Sequence, residues 1–448
     1  DHYQQDYYHF HFTHQFNPYL NLNTALHYRY GRGYYENYKE DEDLVDYQIP
    51  VIEIGSETIE TTDLVNRKWL DNDFYGIVFS LNHKKNRLDF TLGGGWNTYD
   101  GDHFGNVIWG EHLGKINPNY EWYFNNGLKK DFNIYSKFIY ELTPRLNAFA
   151  DLQYRRIDYK IDGIDDDLRD ISQQHEFNFF NPKFGLFYQP AFNQELYASF
   201  AVANREPSRT NYVDAPLERK QPVHETLQNW ELGYNYKSTG FSLGANLYYM
   251  DYKNQLVLTG EINDVGSAIM VNVDDSYRAG VELQAGVQIS QAILWNGNVT
   301  FSSNKIKNFT EYVDNWDTWE QEVFDLGTTD LSFSPEVVAN SQLLFEPAKN
   351  LQFSLNSSYV GKQFIDNTSS DERALDAYFV NNFKADYSFT SGIFDEITVH
   401  LLLNNIFNEK YETNAWVYSY ILGDERYEMD GYFPQAGRHF MIGVDFKF

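Results

Sequence analysis

The last ten residues of the chain alternate without interruption, and this pattern constrains the fold more than any other feature. Phe440, Ile442, Val444, Phe446 and Phe448 would share one face, and His, Met, Gly, Asp and Lys occupy the positions between them. A period of two is that of a β-strand whose two faces meet different surroundings. The chain therefore ends on an amphipathic strand with an aromatic last residue.

The same alternation of apolar and polar residues recurs along the chain. The apolar positions are Leu20, Leu22, Leu26 and Tyr28; Leu146, Ala148, Ala150, Leu152 and Tyr154; Phe241, Leu243, Ala245, Leu247 and Tyr249; Val281, Leu283, Ala285, Val287 and Ile289; and Leu351, Phe353, Leu355 and Tyr359. The runs last about nine to eleven residues, which is the length of a tilted membrane strand. Strands of soluble sandwiches usually have about five or six residues.

Turn signals separate these runs at intervals of 43 to 68 residues. They are Asn17-Pro18, Lys85-Asn86, Thr143-Pro144, Gln189-Pro190, Thr239-Gly240, Ser290-Gln291, Ala348-Lys349 and Ser391-Gly392. Between them we expect long polar loops over 33–68, 98–119, 162–174, 205–222, 258–272, 309–330, 362–375 and 411–436. Tight turns at one end and long loops at the other are typical of a transmembrane β-barrel. A kelch propeller has a similar period, but its repeated signature is not found.

Composition excludes several classes of protein. Aromatic residues make up 18% of the chain, as strand-rich barrels with aromatic girdles require. No run approaches the length of a membrane helix, and cysteine is absent. The net charge of −29 would repel nucleic acid. Bridging of this acidic surface to lipid head groups by divalent cations is a weaker hypothesis.

The sequence offers no catalytic constellation and no metal-binding motif. The serine-hydrolase, zinc-protease and P-loop signatures are absent, so we expect no enzyme activity. The acidic runs Glu40–Asp43 and Asp165–Asp167 lack the spacing of a calcium loop. They are therefore interpreted as solvated loop faces, and neither a metal nor a cofactor is predicted.

Four stretches carry a resemblance to a known family. They are Ala203-Asn204-Arg205-Glu206-Pro207-Ser208-Arg209, Trp230-Glu231-Leu232-Gly233-Tyr234, Tyr248 to Gln255, and Leu403 to Tyr411 followed by Gly437-Arg438 and the last strand. In this order they resemble the TonB-dependent receptors of Gram-negative outer membranes, and the aromatic-rich style resembles the Bacteroidetes branch. Asn204 replaces the usual Phe of the first motif. The third stretch resembles the strand that leads into the next loop.

This resemblance implies an all-β fold, an antiparallel transmembrane β-barrel in the cell outer membrane. About 17 strands are counted, against about 22 in a plugged transporter. We therefore expect 1–448 to be a partial barrel domain that lacks the plug and first strands. Such a chain is not expected to close into a functional pore alone, because an open edge in lipid leaves backbone groups unpaired.

The implied function is TonB-dependent uptake of a bulky nutrient, with a ferric siderophore as the preferred cargo. Haem, cobalamin, glycan uptake with a surface lipoprotein, and a passive porin remain alternatives. The implied partners are the TonB complex, reached through the missing N-terminal region, the iron chelate and outer-membrane lipid.

Ligand contacts are expected among polar and aromatic residues of the loops and strand ends. The candidates are Arg205, Arg209, Tyr212, Trp316, Trp319, Trp109, His103 and His112. Arginines would pair with an anionic chelate or a haem propionate, and aromatic rings would stack on catecholate or porphyrin planes. His103 and His112 are candidate haem ligands. Packing of the loops or of an aromatic girdle is the alternative role for each of them.

Overall fold

A computed structural model describes residues 2–117, 119–215, 221–262 and 268–448. The predicted loops over 98–119, 205–222 and 258–272 therefore lie partly outside the described residues. The strands are β1 (His2–Asn17), β2 (Leu20–Asp43), β3 (Ile52–Ile54), β4 (Glu57–Ile59), β5 (Thr61–Lys85), β6 (Leu88–Gly110), β7 (Tyr120–Thr143), β8 (Leu146–Gly163), β9 (Gln173–Ala191), β10 (Gln194–Arg205), β11 (Glu225–Ser238), β12 (Phe241–Ile262), β13 (Ala268–Ser290), β14 (Ile293–Asn315), β15 (Glu320–Asp330), β16 (Val337–Ala348), β17 (Leu351–Val360), β18 (Gln363–Phe364), β19 (Ala374–Leu375), β20 (Tyr378–Ser391), β21 (Phe394–Asn404), β22 (Glu412–Leu422), β23 (Glu425–Pro434) and β24 (His439–Lys447).

Helices are few and short in the described ranges. One 3₁₀ turn spans Leu44–Tyr47, and α1 spans Arg209–Val213. No helix in this part of the chain is both long enough and apolar enough to cross a membrane. The all-β, antiparallel class expected from the alternation is confirmed.

Contacts divide the chain into two compact units. The first contains Asp1–Glu141 and Phe149–Pro182, and the second contains Leu142–Ala148 and Lys183–Phe448.

The first unit is a series of long antiparallel hairpins. β2 pairs with β1 and β5, and β6 pairs with β5 and β7. The β2–β5 ladder extends from Leu20 opposite His83 to Asp43 opposite Thr61. A small hydrophobic core lies at the end of this ladder remote from the tight turns. Its buried members are Leu44, Tyr47, Ile49, Leu64, Val107, Trp122 and Tyr123.

The second unit continues the same pattern. Antiparallel ladders join β9 to β10, β10 through β14 in sequence, and then β14–β16, β16–β17, β17–β20, β20–β21 and β21–β24. β15 extends β14 as a hairpin, and β22 and β23 form a second hairpin. β22 also makes a short parallel contact with β14, through Asp314 opposite Tyr420 and Asn315 opposite Ile421.

The apolar faces of the strands are exposed in both units. Leu247 is 48% exposed on β12, Leu283 is 41% exposed on β13, and Phe10 on β1 is 62% exposed. In a soluble sandwich these side chains would meet in a shared core. Apolar faces that are exposed along many strands are instead typical of the outer surface of a β-barrel, which contacts lipid.

Seven of the eight predicted turns lie at tight connections between successive strands. The exception is Gln189-Pro190, which ends β9, and the chain turns at Phe192 and Asn193 instead. Gly240 shows why the residue types matter, since its φ of +79° is readily adopted only by glycine. Asn86, with φ of +54°, serves the same purpose between β5 and β6.

The expectation that the opposite ends are loops is wrong for much of their length. β2 continues to Asp43, β5 begins at Thr61, and β14, β15, β22 and β23 fill most of 309–330 and 411–436. In these segments buried apolar side chains such as Leu64, Phe309 and Val417 pack into small local cores, while polar side chains on either face meet water. The segments therefore lack the alternation by which a strand is recognised, although their backbones pair in the same ladders.

The family-like run Leu403 to Tyr411 is a strand end followed by a structured turn. β21 stops at Asn404, and Asn405 and Asn408 have positive φ values of 49° and 57°. The Asn405 side chain is buried and accepts from the Glu409 N–H at 2.8 Å. It also donates to the Glu409 and Ala436 carbonyls at 2.8 and 3.3 Å. The amides in this run therefore fix the connection that precedes β22.

Candidate functional site

Three of the predicted ligand contacts lie in the first unit. His103 is on β6, opposite Leu70 of β5, whereas the His112 N–H donates to Thr62 Oγ1 at 2.9 Å. Leu70 and Thr62 are eight residues apart on one strand, which is about 26 Å at roughly 3.3 Å per residue. The two histidines therefore cannot ligate the two faces of one haem in this structure. Trp109 is 49% exposed near the His112 end of β6.

Arg205, Arg209 and Tyr212 lie together at the end of β10 and in α1. The Arg205 Nε atom lies 2.9 Å from Glu225 Oε1, so this guanidinium already has an anionic partner. Ser208 begins α1 with a capping box, in which its Oγ accepts from the Asn211 N–H. Tyr212 is buried at 3% exposure. A ligand would reach the Tyr212 ring only if this helix moved.

Trp316 and Trp319 lie at the tip of the β14–β15 hairpin. Trp316 stacks on Tyr420 with ring centres 3.9 Å apart and an interplanar angle of 13°. Its Nε1 donates to the Tyr418 hydroxyl at 3.2 Å, and its backbone N–H donates to the Ile421 carbonyl at 2.8 Å. Trp319 is 86% exposed and has a φ of +58°, which is strained for a residue with a side chain.

The stack continues onto β23. Tyr420 faces Tyr427 with ring centres 5.5 Å apart and an interplanar angle of 19°. Trp316, Tyr420 and Tyr427 therefore form a row of nearly parallel rings, which we call the aromatic row. Sequence reasoning identified Trp316 but not the two tyrosines, because β22 and β23 lie about a hundred residues further along the chain.

A buried charge cluster lies beside the aromatic row, and sequence reasoning missed it entirely. Arg373 donates to Asp366 at 2.8 Å, to Glu311 at 2.9 Å and to Glu428 at 2.6 Å. Arg426 also donates to Glu311, at 3.0 Å from its Nη1. We call these five residues the charge cluster. Its members come from β14, the 361–377 connection and β23, so no local motif marks it.

The two shifted pKa values of the cluster have identifiable causes. Burial raises the pKa of the Glu311 carboxyl, but hydrogen bonds from Arg426 and Arg373 outweigh burial and hold it below its ordinary value. Burial opposes the charge on Arg373, yet the carboxylates, Asp366 above all, raise its pKa. Glu311 lies 18 residues beyond Ile293, which is roughly 59 Å along the strand and, at a tilt of about 40°, roughly 45 Å above the tight turn. The apolar band of a barrel is about 25 Å tall. The cluster is therefore outside the membrane band.

The cavity at the charge cluster is too small for a chelate. Its volume is about 50 Å³, whereas ligand pockets usually enclose about 300 to 1,000 Å³. The ion pairs of the cluster join β14 and the 361–377 connection to β23, the strand that carries Tyr427 of the aromatic row.

A larger cavity of about 770 Å³ lies over the polar faces near the tight turns of the second unit. Its lining is dominated by neutral amides and hydroxyls, among them Asn235, Gln284, Asn298, Asn340, Gln342 and Ser358. These groups donate and accept hydrogen bonds without carrying charge. The regular alternation of Asn, Gln and Ser in the sequence is the pattern that could have predicted this polar lining.

The acidic run Asp165–Asp167 is paired with basic and amide groups. Within the described ranges it is the one group of three acidic or histidine side chains whose ligand atoms all lie within 4.8 Å of one another. Lys68 pairs with Asp166, Arg169 pairs with Asp167, and Asn125 donates to Asp165 at 3.2 Å. These contacts agree with the interpretation of a loop face.

A model of the family described as "TonB dependent receptor-like, beta-barrel" matches residues 1–406. The ferrienterobactin receptor of Escherichia coli (strain K12) is 28% identical over 145 residues, which is 31% of this chain and 17% of that protein.

Two solved structures share the fold. The ferric-catecholate import receptor Fiu of E. coli K12 matches 99% of this chain and 63% of its own, with a TM-score of 0.66 and 15% identity. The siderophore receptor PiuA of Acinetobacter baumannii matches 100% of this chain and 64% of its own, with a TM-score of 0.69 and 13% identity. The chain therefore spans less than two thirds of these receptors. The predicted antiparallel outer-membrane β-barrel fold is confirmed, and the chain belongs to the TonB-dependent receptor-like β-barrel family.

Proposed function

We propose that this chain supplies the barrel wall of an outer-membrane receptor that takes up a ferric siderophore by a TonB-dependent mechanism. The observation that carries the proposal is the family match over 1–406. It is supported by fold relatives whose names identify them as receptors for ferric chelates. We take residues 1–448 as a barrel domain. Coupling to TonB would then involve a segment outside this domain.

In this proposal the outer strand ends supply the ligand contacts. Trp316 and Trp319 project from the β14–β15 tip, and the aromatic row offers flat faces for the ring or amide planes of a chelate. Arg205 at the end of β10 and Arg209 at the start of α1 are further candidates in the same unit. Trp109, His103 and His112 are the corresponding candidates of the first unit. Haem is the weaker cargo because His103 and His112 lie far apart.

The test is growth of the source bacterium under iron starvation, with and without the intact gene. Loss of the gene should abolish growth on at least one added ferric siderophore, and the intact gene should restore it. Trp316→Ala should weaken that restoration while leaving the amount of protein in the outer membrane unchanged. If the mutant strain grows as well as the parent on every chelate, siderophore uptake is the wrong reading.

A further inference from the structure

The negative charge of this protein is concentrated in its outer segments. The eight segments 33–68, 98–119, 162–174, 205–222, 258–272, 309–330, 362–375 and 411–436 contain 38 Asp and Glu but only 12 Lys and Arg, a net charge of −26. The whole chain has −29, so the rest is close to neutral. In each unit these segments carry a net charge of −13, from 18 acidic and 5 basic residues in the first unit and 20 acidic and 7 basic residues in the second. Short turns of outer-membrane barrels face the periplasm and long connections face outward. In both units the acidic segments are therefore the ones that meet incoming cargo.

Five arginines of the described outer segments already have carboxylate partners. Pairs are formed by Arg67 with Glu36, Arg169 with Asp167, Arg205 with Glu225, Arg373 with Asp366, Glu311 and Glu428, and Arg426 with Glu311. The charge cluster alone contains three carboxylates and two guanidinium groups. An anionic chelate would have to displace a carboxylate at each of these arginines. The guanidinium groups that would bind an anion are thus already paired with carboxylates at these positions.

Three carboxylates are hydrogen-bonded to the aromatic row or to residues close to it in sequence. The Tyr418 hydroxyl donates to Asp314 at 2.8 Å, the Gly423 N–H donates to Asp317 at 2.5 Å, and the Tyr427 hydroxyl donates to Glu425 at 3.1 Å. Indole and phenol faces attract cations through their electron-rich centres, and nearby carboxylates add to that attraction. Ring faces and carboxylates together are the chemistry that recognises an ammonium group.

We infer that the cargo of this receptor is a cationic chelate, a metal complex that carries a free ammonium or similar group. This inference rests on the proposed uptake function and adds the charge class of the substrate. The acidic outer segments attract such a complex from solution, and the aromatic row receives its cationic group. A trianionic ferric catecholate is repelled by the same field.

The test uses three chelates that differ in charge. Ferrioxamine B is cationic, its N-acetyl derivative is the matched neutral complex, and ferric enterobactin is trianionic. Binding is measured with the purified full-length receptor in detergent, by quenching of tryptophan fluorescence at low and at physiological ionic strength. We expect ferrioxamine B to bind about tenfold or more tightly than either of the others at low salt. Its advantage should shrink as salt screens the field.

Charge variants test whether the negative charge near the aromatic row contributes to binding of the cationic chelate. Glu320→Gln, Glu322→Gln and Asp325→Asn together remove three exposed charges from β15 and should weaken ferrioxamine B binding about two- to tenfold at low salt. The matched control removes three exposed charges near the tight turns, through Glu346→Gln, Asp395→Asn and Glu396→Gln, and should change the affinity little.

The outcomes distinguish the two proposals. Tighter binding of ferric enterobactin, or affinities that do not respond to salt or to the β15 variant, would overturn the cationic cargo while leaving siderophore uptake in place. Binding of none of the three chelates, together with normal growth of the deletion strain in iron starvation, would overturn both.

Discussion

Arg373 organises the outer part of the second unit at the scale of a single residue. Its side chain is 6% exposed and contacts carboxylates from three separate segments. Burial of one guanidinium is tolerated because Asp366 and Glu311 balance its charge and accept its hydrogen bonds. The converse also holds, since those two carboxylates are 5% and 12% exposed and both pair with Arg373, although Glu311 also pairs with Arg426.

Arg373→Ala should therefore be among the most harmful single changes in the described outer segments. Loss of the guanidinium leaves the buried Asp366 without its basic partner and Glu311 with Arg426 alone, which costs about 3 to 5 kcal/mol. We expect the 361–377 connection to become sensitive to protease and the urea midpoint in detergent to fall. Arg438→Ala removes the same charge from an exposed position and should change stability by about 0.5 kcal/mol or less. Equal effects of the two variants would show that the cluster is not a support.

The hairpin of β22 and β23 is the element that brings the aromatic row together. It connects β21 to β24 in sequence, yet it reaches β14, with which it makes a parallel contact of two residue pairs. The Trp316 stack and the charge cluster reinforce that contact. A ladder of only two pairs contributes little alone, so side chains hold the hairpin against β14.

A disulfide can test this contact directly, because the chain has no cysteine of its own. Asn315→Cys combined with Ile421→Cys places two thiols on paired positions of neighbouring strands, within the Cα separation of about 4.4 to 6.8 Å that a disulfide needs. We expect the pair to oxidise readily and to change mobility on a non-reducing gel. Asn315→Cys with Tyr432→Cys is the control, since Tyr432 pairs with Ala415 further along the hairpin. Equal oxidation of both pairs would contradict a fixed register.

Elements of the wall were largely predictable from sequence, and those of the outer end were not. Alternation located β12 and β24 because one face meets lipid and the other meets water. β15 lacks that contrast, since most of its residues are exposed on both faces. Most contacts of the aromatic row and the charge cluster join residues 55 to 115 positions apart, and spacing along the chain contains no signal for such contacts.

At the scale of the whole molecule, the exposed apolar faces give the chain its location. This is a barrel-family protein of the cell outer membrane, and side chains such as Leu243 and Leu247 form the surface that meets lipid. The opposite face of the same strands is polar, and Asn246 there donates to Glu282 at 3.1 Å. One residue step along β12 therefore changes the surroundings from hydrocarbon to hydrogen-bonding groups.

Leu247→Arg and Asn246→Arg should differ sharply for this reason. An arginine on the lipid face within the membrane band costs about 2 to 4 kcal/mol. An arginine at position 246 instead meets Glu282 and should be nearly neutral. Urea unfolding of the full-length protein in lipid vesicles measures both. A comparable loss of stability in the two variants would mean that the assignment of the faces is mistaken.

The small hydrophobic core at the outer end of the first unit has a consequence for molecules that approach the cell. Tyr47 packs on Trp122, which comes from a strand more than seventy residues away, and Gln48 donates to the Trp122 carbonyl at 2.9 Å. The surface formed by 44–60 is therefore shaped by residues that a synthetic peptide of that segment does not contain. An antibody raised against such a peptide would recognise the unfolded segment, whereas a phage or an antibody selected on intact cells would recognise the folded one.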